Sequence, residues 1–207
     1  MEVQGEEGLR ARKKRETRDR IAQTAMRLFL ERGFDRVPVA EIARAAEVSE
    51  KTVFNYFPTK EDLVFWNSED KLAERADAIR QRVPGVPLSR LFAQETMAFL
   101  DALQDGPLDD LIAIPTLVRR SPALRDRLLL AWERETTTLV AAVTDDEDDL
   151  VAEAVVRALI WTHRLVFRTA LRRILQGEDR AEVAADLRIQ AQRAYARLDL
   201  GLAGYGG

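Results

Sequence analysis

Lys51, Thr52, Asn55 and Tyr56 occupy the side of a short helix that is left over once Val53 and Phe57, at i, i+4 spacing, are turned inward. This side carries ammonium, hydroxyl and amide groups, and its only acid is Glu50 in the first turn. Such groups suit hydrogen bonding to nucleobase edges. Asn55 can pair with adenine N6 and N7, Lys51 can reach guanine O6 and N7 or a phosphate, and Thr52 offers a hydroxyl to phosphate and a methyl to thymine. Ser49 is well suited to N-cap the helix. Just before it, Ile42, Ala43 and Ala46 fall on one face of another helical segment. Residues 39–60 therefore predict two short helices joined by a tight turn, the second able to lie in a DNA major groove.

Catalytic alternatives find little support. There are no cysteines, which removes disulfides, thiolate nucleophiles and cysteine-ligated metals. No glycine-rich phosphate loop, His-Glu metal motif or Ser/His/Asp spacing occurs. His163 is the only histidine, and no carboxylate stands three or four residues after it to share a metal. The acid clusters at Asp109-Asp110 and at residues 145–149 lie near expected helix starts, where the helix dipole and solvation explain them. The expectation is a protein that is not an enzyme and uses no cofactor or metal.

Charge adds a partner. The chain carries a net −3, yet residues 1–60 are net basic by three and residues 61–207 net acidic by six. Seven basic residues fall between Arg10 and Arg20, against Glu16 and Asp19. A basic head on an acidic body fits a modular protein whose head meets phosphate. No run of about eighteen apolar residues is present and the N-terminus lacks an apolar core, so the expectation is a cytoplasmic protein without a membrane span.

The elements that must hold these groups are helical. Strand-like alternation is almost absent and helical periodicity recurs, which predicts an all-α fold of about nine helices. The first is expected over 16–32, burying Ile21, Ala25, Leu28 and Phe29, with Gly33 ending it and Phe34 folding back on Phe29. Pro58-Thr59 then stops one helix and caps the next, with Asp62 as the reciprocal partner. That next helix is expected over 60–82, and the Val83–Pro87 segment reads as a linker. Helices at 88–104, 107–119, 122–143, 148–176 and 179–198 should follow, with Pro115 kinking or splitting its own. Residues 1–14 read as a flexible basic arm, 15–60 as a helix-turn-helix domain and 61–207 as a larger helical bundle.

The ordered set Ala22–Phe29, Gly33-Phe34, Val39–Ala46, Val48-Ser49, Thr52-Val53-Phe54, Tyr56-Phe57 and Lys60 resembles the TetR family of bacterial transcriptional regulators over roughly residues 15–65. The resemblance implies that Lys51, Thr52, Phe54, Asn55 and Tyr56 lie on the recognition helix, with Tyr56 and Lys60 clamping the DNA backbone. Lys60 stands at an expected helix N-terminus, a good place for an anion, and Arg44 is a further phosphate contact. Two positions depart from the family pattern. Glu47 replaces a glycine in the helix–helix turn, at a cost on the order of 1 kcal/mol if its φ is positive. Pro38 stands where a capping hydroxyl is usual.

For the larger unit the resemblance implies a small-molecule site and dimerisation through the last two long helices. Val151, Val155, Ala158, Leu159 and Leu165 would form one apolar face, and Leu187, Ala191, Ala194 and Leu198 the other. Phe99, Thr116, Trp132, Trp161, His163 and Phe167 are the pocket residues expected from their types, aromatic walls with a few polar groups. Together these imply a ligand-responsive regulator, a repressor, that binds double-stranded DNA at a palindromic operator as a homodimer. An apolar or amphipathic small-molecule effector would release it. The alternative is a helical protein–protein adaptor whose DNA-reading unit is vestigial.

Overall fold

A computed structural model describes residues 3–201. Its helices, in chain order, are α1 (Val3–Arg32), α2 (Val39–Ala45), α3 (Glu50–Tyr56), α4 (Ser68–Arg80), α5 (Leu88–Asp105), α6 (Leu108–Arg120), α7 (Pro122–Val140), α8 (Leu150–Leu175) and α9 (Arg180–Gly201). Short 3-10 turns at Phe34–Arg36 and Glu61–Leu63 complete the regular structure, and there is no strand among the described residues. The all-α expectation therefore holds. The chain forms two units: residues up to Glu69 with Ala113–Leu129, and Asp70–Ile112 with the remainder from Leu130.

The first unit is built around α1, α2 and α3. Ile21, Ala25 and Phe29 of α1, Ile42 and Ala43 of α2, and Val53 and Phe57 at α3 are all fully or nearly fully buried in one core. Leu117 of α6 and Leu124 of α7 join it. That contribution is not visible in the local pattern of residues 15–60. Gly33, at φ +88°, ends α1, and the Phe34 ring lies 4.9 Å from Phe29.

Two expectations for this unit are corrected. Helix α1 starts at Val3 rather than near Glu16, so the residues of the expected flexible arm from 3 onward extend it; Met1 and Glu2 lie outside the described residues. No proline interrupts this stretch, and Gly5 and Gly8 each cost only about 1 kcal/mol relative to alanine. An Arg12–Glu16 pair at i, i+4 adds a little. The helix expected over 60–82 is also shorter and begins later. Leu63, Val64 and Phe65 are consecutive and all buried. Three successive residues of an α-helix span about 200° and cannot all face one core. The chain makes a 3-10 turn there, and α4 opens at Ser68, whose backbone N–H and hydroxyl both donate to the Phe65 carbonyl.

In the second unit α5, α8 and α9 enclose a separate core that includes Phe92, Leu100, Leu159, Leu187 and Ala191. Helix α6 runs unbroken through Pro115, so of the kink or split expected there the split does not occur. A single missing backbone donor removes one i→i−4 bond and leaves the rest of the helix intact. The apolar faces expected for dimerisation are corrected as well. Val155, Leu159, Leu187 and Ala191 are buried within the unit itself. Val151 and Leu165 of the expected face do turn outward, as do Leu150, Trp161 and Leu175 of α8, and on α9 Ile189 and Leu200 are exposed. Helix α8 is apolar on two sides, and sequence periodicity cannot tell which side meets its own core.

Candidate functional site

The geometry of α3 follows from its ends. Ser49 accepts a hydrogen bond from the Thr52 backbone N–H at 3.0 Å and meets the Thr52 hydroxyl at 2.8 Å. Val53 and Phe57 anchor the inner face. Lys51, Phe54 and Asn55 are exposed, Thr52 and Tyr56 half-buried, and Arg44 is exposed on α2. Tyr56 packs against the core, which fixes its ring while its edge stays accessible.

The turn leading into α3 is a Schellman motif. Val48 N–H donates to the Ala43 carbonyl at 2.9 Å, and Glu47 N–H to the Arg44 carbonyl at 3.2 Å. The residue between the two helices in such a motif takes a left-handed conformation, and Glu47 has φ +55°. It is the sole non-glycine residue with positive φ among those described. The same motif closes α8, with Gly177 at φ +89° in the corresponding place. At the start of α2, Pro38 occupies the N-cap and supplies no side-chain bond.

Lys60 has a different environment from the one expected. Its Nζ donates to the Phe34 carbonyl at 2.7 Å and lies 4.4 Å from the Phe34 ring centroid. Burial lowers its pKa, opposed by the charges of Asp35 and Glu61. It precedes only the short 3-10 turn, so the helix N-terminus invoked for an anion is absent at this position. Beside it, Thr59 and Asp62 form the reciprocal cap: the Thr59 backbone N–H donates to Asp62 Oδ2 at 3.0 Å, and the Asp62 N–H to Thr59 Oγ1 at 3.3 Å. Arg127 of α7 donates through two nitrogens to Asp62 Oδ1 at 3.2 and 3.0 Å. Burial pushes the Asp62 carboxyl up, but the bonds from Thr59 and Arg127 outweigh it and hold it below its usual range.

The second unit has its own polar centre. Thr96 of α5 is fully buried and donates its hydroxyl to the Phe92 carbonyl at 2.8 Å. The same oxygen lies 2.9 Å from His163 Nδ1 on α8 and 2.8 Å from the Tyr195 hydroxyl on α9. The Phe99 ring lies tilted at 4.9 Å from Phe167 and edge-on at 6.4 Å from His163. Burial, with Arg75 and Arg164 nearby, depresses the His163 pKa to about 4 despite the opposing charge of Glu135. Burial raises that of Tyr195 to about 12. Both are neutral near pH 7. An ionic group adjoins them: Arg75 of α4 pairs with Glu95 at 2.9 Å and with Glu135, which also holds Arg164. The Arg164 guanidinium lies 4.3 Å from the Trp132 ring centroid.

Residues 21–65 match the model of the bacterial regulatory proteins, tetR family. The HTH-type transcriptional regulator TcmR of Streptomyces glaucescens is 29% identical over 171 residues, covering 78% of this chain and 76% of that protein. Residues 21–65 thus carry the helix-turn-helix pattern of the tetR family of bacterial regulatory proteins. Solved structures share the fold of most of the chain. NalD of Pseudomonas aeruginosa, the secondary repressor of the MexAB-OprM multidrug efflux pump, superposes with a TM-score of 0.54 at 18% identity, over 87% of this chain and 96% of that one. FadR of Bacillus subtilis, solved with stearoyl-CoA, gives 0.51 at 17% identity, over 83% and 96%. The chain is thus similar to HTH-type transcriptional regulators by sequence, and residues 21–65 match the tetR-family model.

Of the pocket residues expected from the sequence, Phe99, His163 and Phe167 come together, and Trp132 lies under Arg164. Trp161 does not join them, being 54% exposed, and Thr116 belongs to the first unit. Sequence reasoning missed Thr96, Tyr195, Arg75, Glu95 and Glu135. Thr96 lies three residues before Phe99, on the same helical face, and that spacing was the available signal. The partners on α4, α7 and α9 come from distant chain segments, and local spacing carries no trace of them.

Proposed function

We propose that this regulator is a repressor that binds a palindromic operator as a homodimer and is released by an apolar or amphipathic small molecule. The exposed donor face of α3, held rigidly by the Ser49 cap and the Val53 and Phe57 anchors, carries the reading. On it Asn55 addresses base edges, while Lys51, Thr52, Tyr56 and Arg44 serve phosphate. Phe54, 46% exposed, provides an apolar surface for a thymine methyl or a sugar. Lys60 acts indirectly, by fastening the Phe34 turn to the end of α3. NalD, a repressor with the same fold, supports the sign of regulation.

Dimerisation is assigned to the outward stripe on α8 and α9. Val151, Ala154, Ala158, Trp161 and Leu165 succeed one another at three- and four-residue steps, and Ala185, Ile189, Ala196 and Leu200 follow at steps of four, seven and four. Small residues between large ones let two helix pairs approach closely, as in a four-helix bundle. The effector acts through α4. Arg75 ties that helix to Glu95 on α5 and Glu135 on α7, and an effector that disturbs this clasp favours a different α4 position. Only a differential affinity for the two positions can shift operator binding.

Selection from a pool of random duplexes tests the proposal. The enriched sequences should form an inverted repeat whose half-sites are one helical turn apart, roughly 34–36 Å, or a multiple of it. Recovery of no common sequence, or of a single half-site bound by a monomer, would sink it.

A further inference from the structure

Thr96 has one hydroxyl proton and two lone pairs, and three partners within 2.9 Å. The Phe92 carbonyl can only accept, so the Thr96 proton goes there. The oxygen must then accept from both of its other neighbours. Tyr195 donates its phenolic proton, and His163 donates from Nδ1. This fixes the histidine as the Nδ1–H tautomer. Its Nε2 is left as a bare acceptor at the aromatic corner made with Phe99 and Phe167. Nε2 has no hydrogen-bond partner among the described residues. No deeply buried side-chain nitrogen or oxygen lacks one either, so Nε2 is open to solvent or to a ligand.

We propose that His163 orients the effector, its Nε2 accepting a hydrogen bond from a neutral hydroxyl or N–H on an aromatic compound that packs against Phe99 and Phe167. This rests on reading the second unit as the effector-binding one, and names the chemistry that unit selects. The imidazole stays neutral down to mild acid, so it remains an acceptor throughout the physiological range. An anionic ligand is disfavoured at the same place. Arg75 and Arg164 are already held by Glu95 and Glu135, and a carboxylate would have to displace them. A neutral donor displaces nothing. The selectivity is asymmetric: a ligand that covers Nε2 without donating to it leaves the acceptor unpaired, which is penalised more strongly than a change of shape.

The single histidine makes the test direct, because nitrogen NMR of the ¹⁵N-histidine-labelled full-length chain reports one imidazole only. In the free protein near neutral pH, Nδ1 should give the protonated, pyrrole-type resonance and Nε2 the unprotonated, pyridine-type one. Phenol should move the Nε2 resonance saturably, while toluene and benzoate leave it in place. His163→Phe should weaken phenol binding about three- to tenfold, the range for one hydrogen bond, and leave toluene binding unchanged. The free-protein spectrum needs no variant, so a poorly folding His163→Phe does not blunt the test. An Nε2–H tautomer, absence of saturable phenol binding, phenol binding with Nε2 unmoved, or a preference for benzoate would each overturn the proposal. Duplex binding is measured on the same sample. If DNA is bound but phenol fails, the effector chemistry alone is wrong; if phenol binds and DNA does not, the regulator reading is wrong instead.

Discussion

Lys51 and Lys60 illustrate how two cations nine residues apart acquire different work. Lys51 is exposed on the α3 face, whereas Lys60 is held on the Phe34 carbonyl and ring. Lys51→Ala should reduce the dependence of log K on log salt by about 1 and leave folding untouched. Lys60→Ala should lower the stability of the first unit by about 1–2 kcal/mol, because a charge-assisted bond to a half-buried carbonyl is lost. Its salt slope should hardly change. Duplex titrations at several salt concentrations, beside urea unfolding of both variants, separate the two roles. Asn55→Ala should relax base preference at one operator position, and unchanged preference across operator variants would remove it from the reading set. The Lys60 assignment exposes a limit of the sequence. Its motif position and charge were legible, but the carbonyl that captures it sits twenty-six residues upstream and is fixed only by folding.

At the scale of elements, the helix-turn-helix was readable because its signals are local. The Ser49 cap, the Val53 and Phe57 anchors and the strained Glu47 turn depend on residues within a few positions of one another. The breaks around residues 60–68 were not readable, since they arise from burying three consecutive side chains in a core assembled from α1, α2, α6 and α7. The same holds for α8, whose two apolar sides look alike in the sequence. Glu47 gives an element-scale prediction. Glu47→Gly relieves a left-handed conformation that costs an ordinary residue about 1 kcal/mol and also removes a negative charge beside the DNA-facing helix. Thermal unfolding should show a gain of up to about 1 kcal/mol, and duplex affinity should rise with it. Loss of stability would mean that the Glu47 side chain makes a contribution larger than its strain.

For the whole molecule, two global behaviours follow from side chains of the second unit. Trp161→Glu places a charge on an already exposed part of α8, so folding should survive while sedimentation equilibrium shifts from dimer to monomer. A dimer that persists would move the interface elsewhere. Stability should also depend on pH through His163. Its pKa falls from 6.5 to about 4 on folding, so the unfolded chain takes up the proton first as pH drops. The native state is therefore penalised progressively below 6.5, by on the order of 3 kcal/mol once the pH passes below about 4. His163→Phe should flatten the urea midpoint between about pH 7 and about pH 5.

The central claim is that the exposed face of α3 reads duplex DNA. Its most direct test is the affinity of the full-length chain for an operator-containing duplex, measured across a salt series. The account predicts a log–log plot that falls steeply, with the operator retained over random duplex and the slope reduced by about 1 each in Arg44→Ala and Lys51→Ala. A flat profile, equal binding to operator and random duplex, and variants indistinguishable from the parent would contradict it.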